Sequence, residues 1–169
     1  GGRDVLLGDV TIANDQAWKR KHWRSLDLAY RKAPFFLDVM QGLAWFYEQQ
    51  EWEHLADLNV ALLGYLAGKL GVTTRIVRAA EYSFQGQKNA LVLDMARQLG
   101  ASRYIFGEHG VDYAEPDAWA AAGIEIEFQR FTCPAYHQQH GPFVPNLSAI
   151  DALFNLGPAA ADLIGGKRT

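Results

Sequence analysis

The chain has 169 residues, the length of one ordinary domain, and can bury about two thirds of the surface its unfolded form would expose. Five Trp, seven Tyr and nine Phe sit among 49% hydrophobic residues, yet no apolar run approaches the roughly 18–20 residues that cross a bilayer. A net charge of −3 and a pI near 5.9 argue against a general nucleic-acid binder, and the single Cys133 excludes an internal disulfide framework.

Asp9 to Ala13 reads as a short strand. Asn14 then caps a helix whose positions Trp18, His22, Leu26, Ala29 and Ala33 recur every three or four residues until Pro34 interrupts it. This helix carries six cations, Lys19, Arg20, Lys21, Arg24, Arg31 and Lys32, against Asp27 alone, so residues 19–32 are +5 and the remainder is −8. Such clustering either concentrates phosphates or is a solvated helix face. Phe35 to Gln49 and Trp52 to Leu70 predict two further helices, the second ended by Gly71, with Leu55, Leu58, Leu62, Leu66 and Leu70 along one face.

From Val72 the rhythm alternates: strand at Thr74 to Ala79, helix at Lys88 to Leu99, strand at Arg103 to Phe106, helix at Asp117 to Ala122, strand at Ile124 to Phe131. Strands separated by helices require crossovers, which predicts an α/β fold with a layered, mostly parallel sheet, a helical insertion at residues 15–70 and C-terminal helices, all in one domain. The last strand alternates Ile124, Ile126 and Phe128 with Glu125, Glu127 and Gln129, so it has one wet face and is an edge strand or an antiparallel one. Residues 132–147 form a long loop rich in Pro, His and Gln, anchored by Tyr136, Phe143 and Val144. Ser148 starts the next helix with Asp151 in capping-box position, and Gly157-Pro158 stops it.

In open α/β sheets ligands bind beyond the carboxyl ends of strands, so three polar loops are expected around one cleft. The first holds Arg78, Glu81, Tyr82, Ser83 and Lys88 around Gly86. The second is Gly107-Glu108-His109-Gly110 with Asp112 and Tyr113, and the third has Cys133, Tyr136, His137 and His140. Gly107 and Gly110 allow backbone to approach a ligand, although the turn is neither a dinucleotide fingerprint nor a phosphate loop. His109 and Asp112, with Glu108 behind them, are the candidate catalytic groups, because an imidazole titrates near neutrality and a carboxylate in a closing cleft can be raised toward it. Surface loop polarity is the competing reading. His137 and His140 lack the second ligand pair that zinc commonly takes, so no metal is expected, and no cofactor is implied. Cys133, held extended before Pro134, has no helix N-terminus to activate it as a nucleophile. Asn146 and Asn155 either satisfy backbone internally or face a site. Trp18, Trp45, Trp52 and Trp119 read as core or helix-packing residues.

FVPNLSAIDALFNLG at 143–157, with YRKAPFF at 30–36, WEHLADLN at 52–59 and CPAY at 133–136, resembles the WbqC-like family of bacterial O-antigen and surface-polysaccharide gene clusters. The likeness runs from about Val10 to Gly157. Family members carry an upstream His-Gln-Pro, Tyr and Pro-Trp signature that no residue here matches, so the resemblance implies a piece of a longer chain. It carries over Arg78, Glu81, Gly86, Lys88, Gly107, Tyr113, Tyr136, Asn146 and Asp151 as site or site-shaping residues. Ala79-Ala80 depart from the family's Ser, and Asn89, Ala90 and Leu91 from its hydroxyl residue and Arg; Lys88 is then the candidate replacement for lost phosphate contacts.

The resemblance implies a place in a lipopolysaccharide pathway, and the single cysteine with no basic-then-apolar leader predicts a cytoplasmic location; the activity expected there is that of an enzyme acting on a nucleotide-linked amino sugar, with acyl or aminoacyl transfer as one candidate reaction. It has no nucleic-acid partner and no membrane span, and is compatible with a homo-oligomer. In this reading the basic helix and Lys88 attract the diphosphate, while Tyr113 and Tyr136 flank the base or sugar; Gly110, His137 and Asn146 complete the binding set. Two alternatives stand beside it: a non-catalytic scaffold of a sugar-nucleotide complex, which predicts an exposed aromatic patch at Trp45, Phe46 and Tyr47, and a nucleotidyl-transfer or adenylate-forming enzyme.

Overall fold

A computed structural model describes residues 5–165 of the chain. In chain order its elements are α1 (Trp18–Tyr30), α2 (Phe36–Ala44), α3 (Leu55–Lys69), α4 (Lys88–Gln98), β1 (Arg103–Phe106), α5 (Pro116–Ala121), β2 (Glu125–Phe128), α6 (Ala149–Leu156) and α7 (Ala160–Gly165). They divide into two compact units, one running to Ile76 and resuming at Cys133, the other spanning Val77–Thr132.

The first unit is helical. Pro34 interrupts the chain after α1, and α2 then buries Val39, Met40 and Leu43, residues spaced to share one helix face. These pack with Phe46, Leu58, Leu153 and Phe154 into one aliphatic and aromatic core. Phe154 is fully enclosed and stacks on Tyr30 at 4.2 Å, which ties α6 to the end of α1. The Phe35 amide donates to the Phe154 carbonyl at 3.1 Å, and Gly157, at φ +56, leaves the room that the Phe35 ring occupies. Beyond α2 the helix widens into a π turn over Trp45–Gln49, with the Gln50 amide reaching the Trp45 carbonyl at 2.9 Å. The Trp52 indole donates to the Phe46 carbonyl at 3.1 Å, so the turn's loosened backbone is satisfied from outside.

The second unit is the α/β part. β1 and β2 pair in parallel, in register from Arg103 with Glu125 to Phe106 with Phe128. α5 lies in the crossover between them, as a parallel pair requires. The inner face carries Phe106 and Ile126, which pack with Leu93 and Ala96 of α4 and with Trp119 of α5. Trp119 has no exposed surface; its indole donates to Asn89 Oδ1 at 2.9 Å, and Tyr104 stacks on it at 4.8 Å. The outer face shows Ile105, 59% exposed, beside the ion pair of Arg103 with Glu125. Gly100 and Gly123, both at φ +70, follow the ends of α4 and α5.

Several expected elements take another form. The segment Asp9 to Ala13 supplies one antiparallel bridge, Thr11 to His54, after a 3-10 turn at Leu7–Asp9. Thr74 to Ala79 pairs with no strand among the described residues and ends in a 3-10 turn, and its Ile76, like neighbouring Val72, remains exposed. An extended run without a partner cannot satisfy a ladder, whatever its propensity. The strand at residues 125–128 has its wet face, Glu125 and Glu127, and is parallel. No helix among the described residues is long and apolar enough to cross a membrane.

Candidate functional site

The turn after β1 is exposed. Glu108–Asp112 makes a 3-10 turn in which Gly110 is buried against Phe106, where a Cβ would collide with the ring; close packing accounts for this glycine. The His109 side chain is 91% exposed and that of Asp112 72%, with 3.9 Å between Nδ1 and Oδ2. This is a loose surface pair, since neither group is desolvated. Gly107 and Glu108 are also exposed, and Tyr113 meets Phe106 edge-on while remaining 56% exposed.

The loop before α4 is strapped to its helix. The Gln85 amide and the Gln98 side chain both reach Asp94, each at 2.8 Å, and Tyr82 stacks on Phe84 at 5.0 Å. Gly86 takes φ +94 and Lys88 φ +52, so the chain enters α4 through two left-handed residues, with the Lys88 side chain exposed. Arg78 is half-buried and Glu81 exposed. Asn89, at one of the positions departing from the family pattern, is a core residue at 4% exposure. Its oxygen receives the Trp119 indole, which gives it a structural reason to be polar.

The third loop lies in the helical unit and is pinned to α6. Asp151, only 4% exposed, accepts the Tyr136 hydroxyl at 2.7 Å and the Gln138 amide at 3.2 Å. Gln138 also exchanges two hydrogen bonds with the Val144 backbone, and Gln139 donates to Asn155 Oδ1 at 2.9 Å. Asn155 in turn donates to the Asp151 carbonyl. The His140 ring meets the Ala29 carbonyl at the end of α1 at 3.0 Å. Burial first, then the hydrogen bond to Asp151, pushes the hydroxyls of both Tyr30 and Tyr136 up to about 12.

This arrangement corrects the helix-cap expectation. Ser148 occupies the N-cap position without a side-chain cap bond, and Asp151 faces inward to receive the loop. Asn155 is internal as well. Asn146 is exposed at φ +58, a conformation Asn tolerates, so its identity serves the backbone after Pro145. His137 is exposed, and among the described residues no group of three or more His, Cys, Asp or Glu could hold a metal ion. The first two polar loops thus fall in the α/β unit and the third in the helical one.

A cleft opens in the helical unit at the start of α1, which no single motif in the sequence announces. One chamber of about 390 Å³ is lined by Asn14, Asp15, Gln16, Lys19, Arg20 and Glu51, among others. A second, of about 260 Å³, shares Lys19 and Arg20 with it and adds Trp23, Tyr47 and Glu48. Lys19 donates to the Gln50 carbonyl at 2.9 Å and lies 3.4 Å from Glu51, leaving one ammonium hydrogen uncommitted; Arg20 is exposed. Trp18, Trp23 and His22 gather around Tyr47, with ring centroids 5.8–6.4 Å from it. The π turn brings Tyr47 and Glu48 to the cleft, and such turns recur at functional sites. Sequence periodicity places Trp18 on the packing face, but an α-helical register could not foresee where Tyr47 points. Phe46 is buried, Tyr47 half-buried and Trp45 44% exposed, so these three do not form an open aromatic patch.

An uncharacterized protein of Mycobacterium tuberculosis, Rv1507c, is 28% identical over 155 residues, a match covering 91% of this chain and 67% of that protein. No solved structure matches the chain. The model of the WbqC-like protein family matches residues 2–163, which takes in both units and the loop-bearing helix α6, and the chain therefore belongs to the WbqC-like family.

Proposed function

We propose that this chain serves bacterial surface-polysaccharide biosynthesis by binding a nucleotide-linked amino sugar in the cleft along α1, as the substrate of acyl or aminoacyl transfer to the sugar nitrogen. The observation that carries the reading is the cleft's mixed charge. Lys19 and Arg20 line both of its chambers, with Asp15, Glu48 and Glu51 around them, Trp18 in one chamber and Trp23 and Tyr47 in the other. An anion would be opposed by the three carboxylates and a cation by the two basic groups, whereas a ligand with a diphosphate, an ammonium and a base would be matched by all of them. The rest of α1 supplies Lys21 and Arg24 on exposed positions, which raises the local concentration of anions.

In the proposed reaction the bound ammonium first gives up a proton to free its lone pair, the nitrogen attacks an activated carbonyl, the N–C bond forms as the carbonyl's bond to its leaving group breaks, and the nitrogen loses a second proton. Asp15, Glu48 and Glu51 are the carboxylates of the cleft that can accept protons from the nitrogen.

A thermal-shift panel of nucleotide-sugars tests the binding claim. A true ligand at a hundred times its dissociation constant should stabilise the folded protein by about 2.7 kcal/mol. No stabilisation from any member of the panel overturns the reading.

A further inference from the structure

We infer that the cleft reads its ligand in a fixed order along α1: an aromatic base at Trp23 and Tyr47, phosphates at Lys19 and Arg20, and a free, unacylated ammonium at Asp15 and Glu51. The inference rests on the nucleotide-sugar reading and adds which end goes where and in which chemical form the sugar nitrogen is recognised.

The order follows from how side chains are shared. Lys19 and Arg20 line both chambers, so a group they hold must sit at the junction. Phosphate belongs there, because ammonium and guanidinium hydrogens are the cleft's charged donors. The larger chamber has one ring, Trp18, which already carries the Lys19 ammonium at 6.0 Å, whereas the smaller has two, Trp23 and Tyr47 at 5.8 Å, against which a planar base stacks, and Glu48 to accept from a base N–H. A bare sugar has no planar face to offer those rings.

Beside Ala17 and Trp18, the larger chamber presents Asn14, Asp15, Gln16 and Glu51, amides and carboxylates suited to hydroxyls and a cation. Glu51 is already turned toward one ammonium, that of Lys19, at 3.4 Å. Asp15 is exposed, and no ion pair or hydrogen bond engages it among the described residues. Two carboxylates favour a charged amine over an amide, which is neutral and larger. The cleft therefore selects the nucleotide-sugar before its nitrogen is acylated and releases it afterwards.

Isothermal titration calorimetry on this chain can separate the parts. The probes are the uridine, thymidine, guanosine and cytidine diphosphates, their glucosamine conjugates, the matching N-acetylglucosamine conjugates, and glucosamine 1-phosphate. For the base that binds tightest, the amine should bind about tenfold more tightly than its N-acetyl form. Asp15→Asn should remove most of that preference and leave the nucleoside diphosphate's affinity within about twofold. Tyr47→Leu should weaken the diphosphate and its conjugates about tenfold while sparing glucosamine 1-phosphate. Circular dichroism establishes that each variant is folded, and Glu48→Gln repeats the base-end test if Tyr47→Leu is not. Equal binding of amine and N-acetyl forms, unchanged by Asp15→Asn, overturns this inference and leaves the nucleotide-sugar reading standing. No binding by any conjugate overturns both.

Discussion

Two loops of similar polarity, residues 107–113 and 133–147, have opposite fates. Around the first, His109 and Asp112 extend into water and touch each other loosely. Along the second, Tyr136, Gln138 and Gln139 turn inward onto Asp151 and Asn155, and His140 reaches the end of α1. Polarity in a sequence records that a group needs a partner, but not whether the partner is water, ligand or protein. The difference lies in the helix beneath: α6 has five successive buried residues, Asp151 to Asn155, so any polar group on it must be satisfied by whatever packs above.

The comparison can be broken or sharpened by substitution. The largest effect is expected in the α/β unit: Trp119→Ala removes its fully buried centre and leaves Asn89 without its donor, a loss of about 4 kcal/mol, read by urea denaturation. Hydrogen exchange should show that loss in β1, β2 and α4. Next, Asp151→Ala leaves donors on Tyr136 and Gln138 unpaired and should cost about 3 kcal/mol, with proteolysis between Cys133 and Leu147 accelerating. Unchanged proteolysis in that variant would mean the loop is held by its apolar anchors.

A smaller effect comes from pH. The folded-state pKa of Tyr30 and Tyr136, about 12, lies above the ordinary 10.0, so the folded protein keeps protons that the unfolded chain has released. Stability contributed by these hydroxyls is therefore complete below pH 10 and is lost as pH rises toward 12. Tyr136→Phe should flatten that decline in urea midpoints. At the far end of the scale, His109→Ala should shift stability by less than about 0.5 kcal/mol, because its side chain touches almost nothing. If that variant also retains the proposed transfer activity, the exposed turn has no part in the chemistry.

Local pattern made much of the fold legible. The apolar stripe ending at Gly71, the helix before Gly100, the strand Arg103 to Phe106 and the crossover ending at Gly123 follow from periodicity and left-handed stops. Pairing was less accessible, since Thr74 to Ala79 has strand-forming residues and no neighbour to bond with. The loop's polar anchors escaped because Asp151 three residues after Ser148 has a sufficient local explanation as a cap, while its partners lie thirteen and fifteen residues upstream. The Asn89 role is similarly remote, depending on Trp119 thirty residues away. The basic helix was visible as a charge cluster, but its cleft needed the ring of Tyr47, whose direction depends on a departure from helical register.

That departure makes the cleft a matter of residue count. Each residue of an α-helix advances the side-chain direction by about 100°, and a π turn accommodates one residue more than the regular spiral. Shortening the stretch between Ala44 and Gln50 by one residue would let α2 run on regularly and swing the positions beyond the deletion by that angle. Val39, Met40 and Leu43 would keep their places in the interior while the wall opposite Lys19 and Arg20 disappeared. A one-residue deletion here should thus uncouple ligand recognition from folding more cleanly than a point substitution.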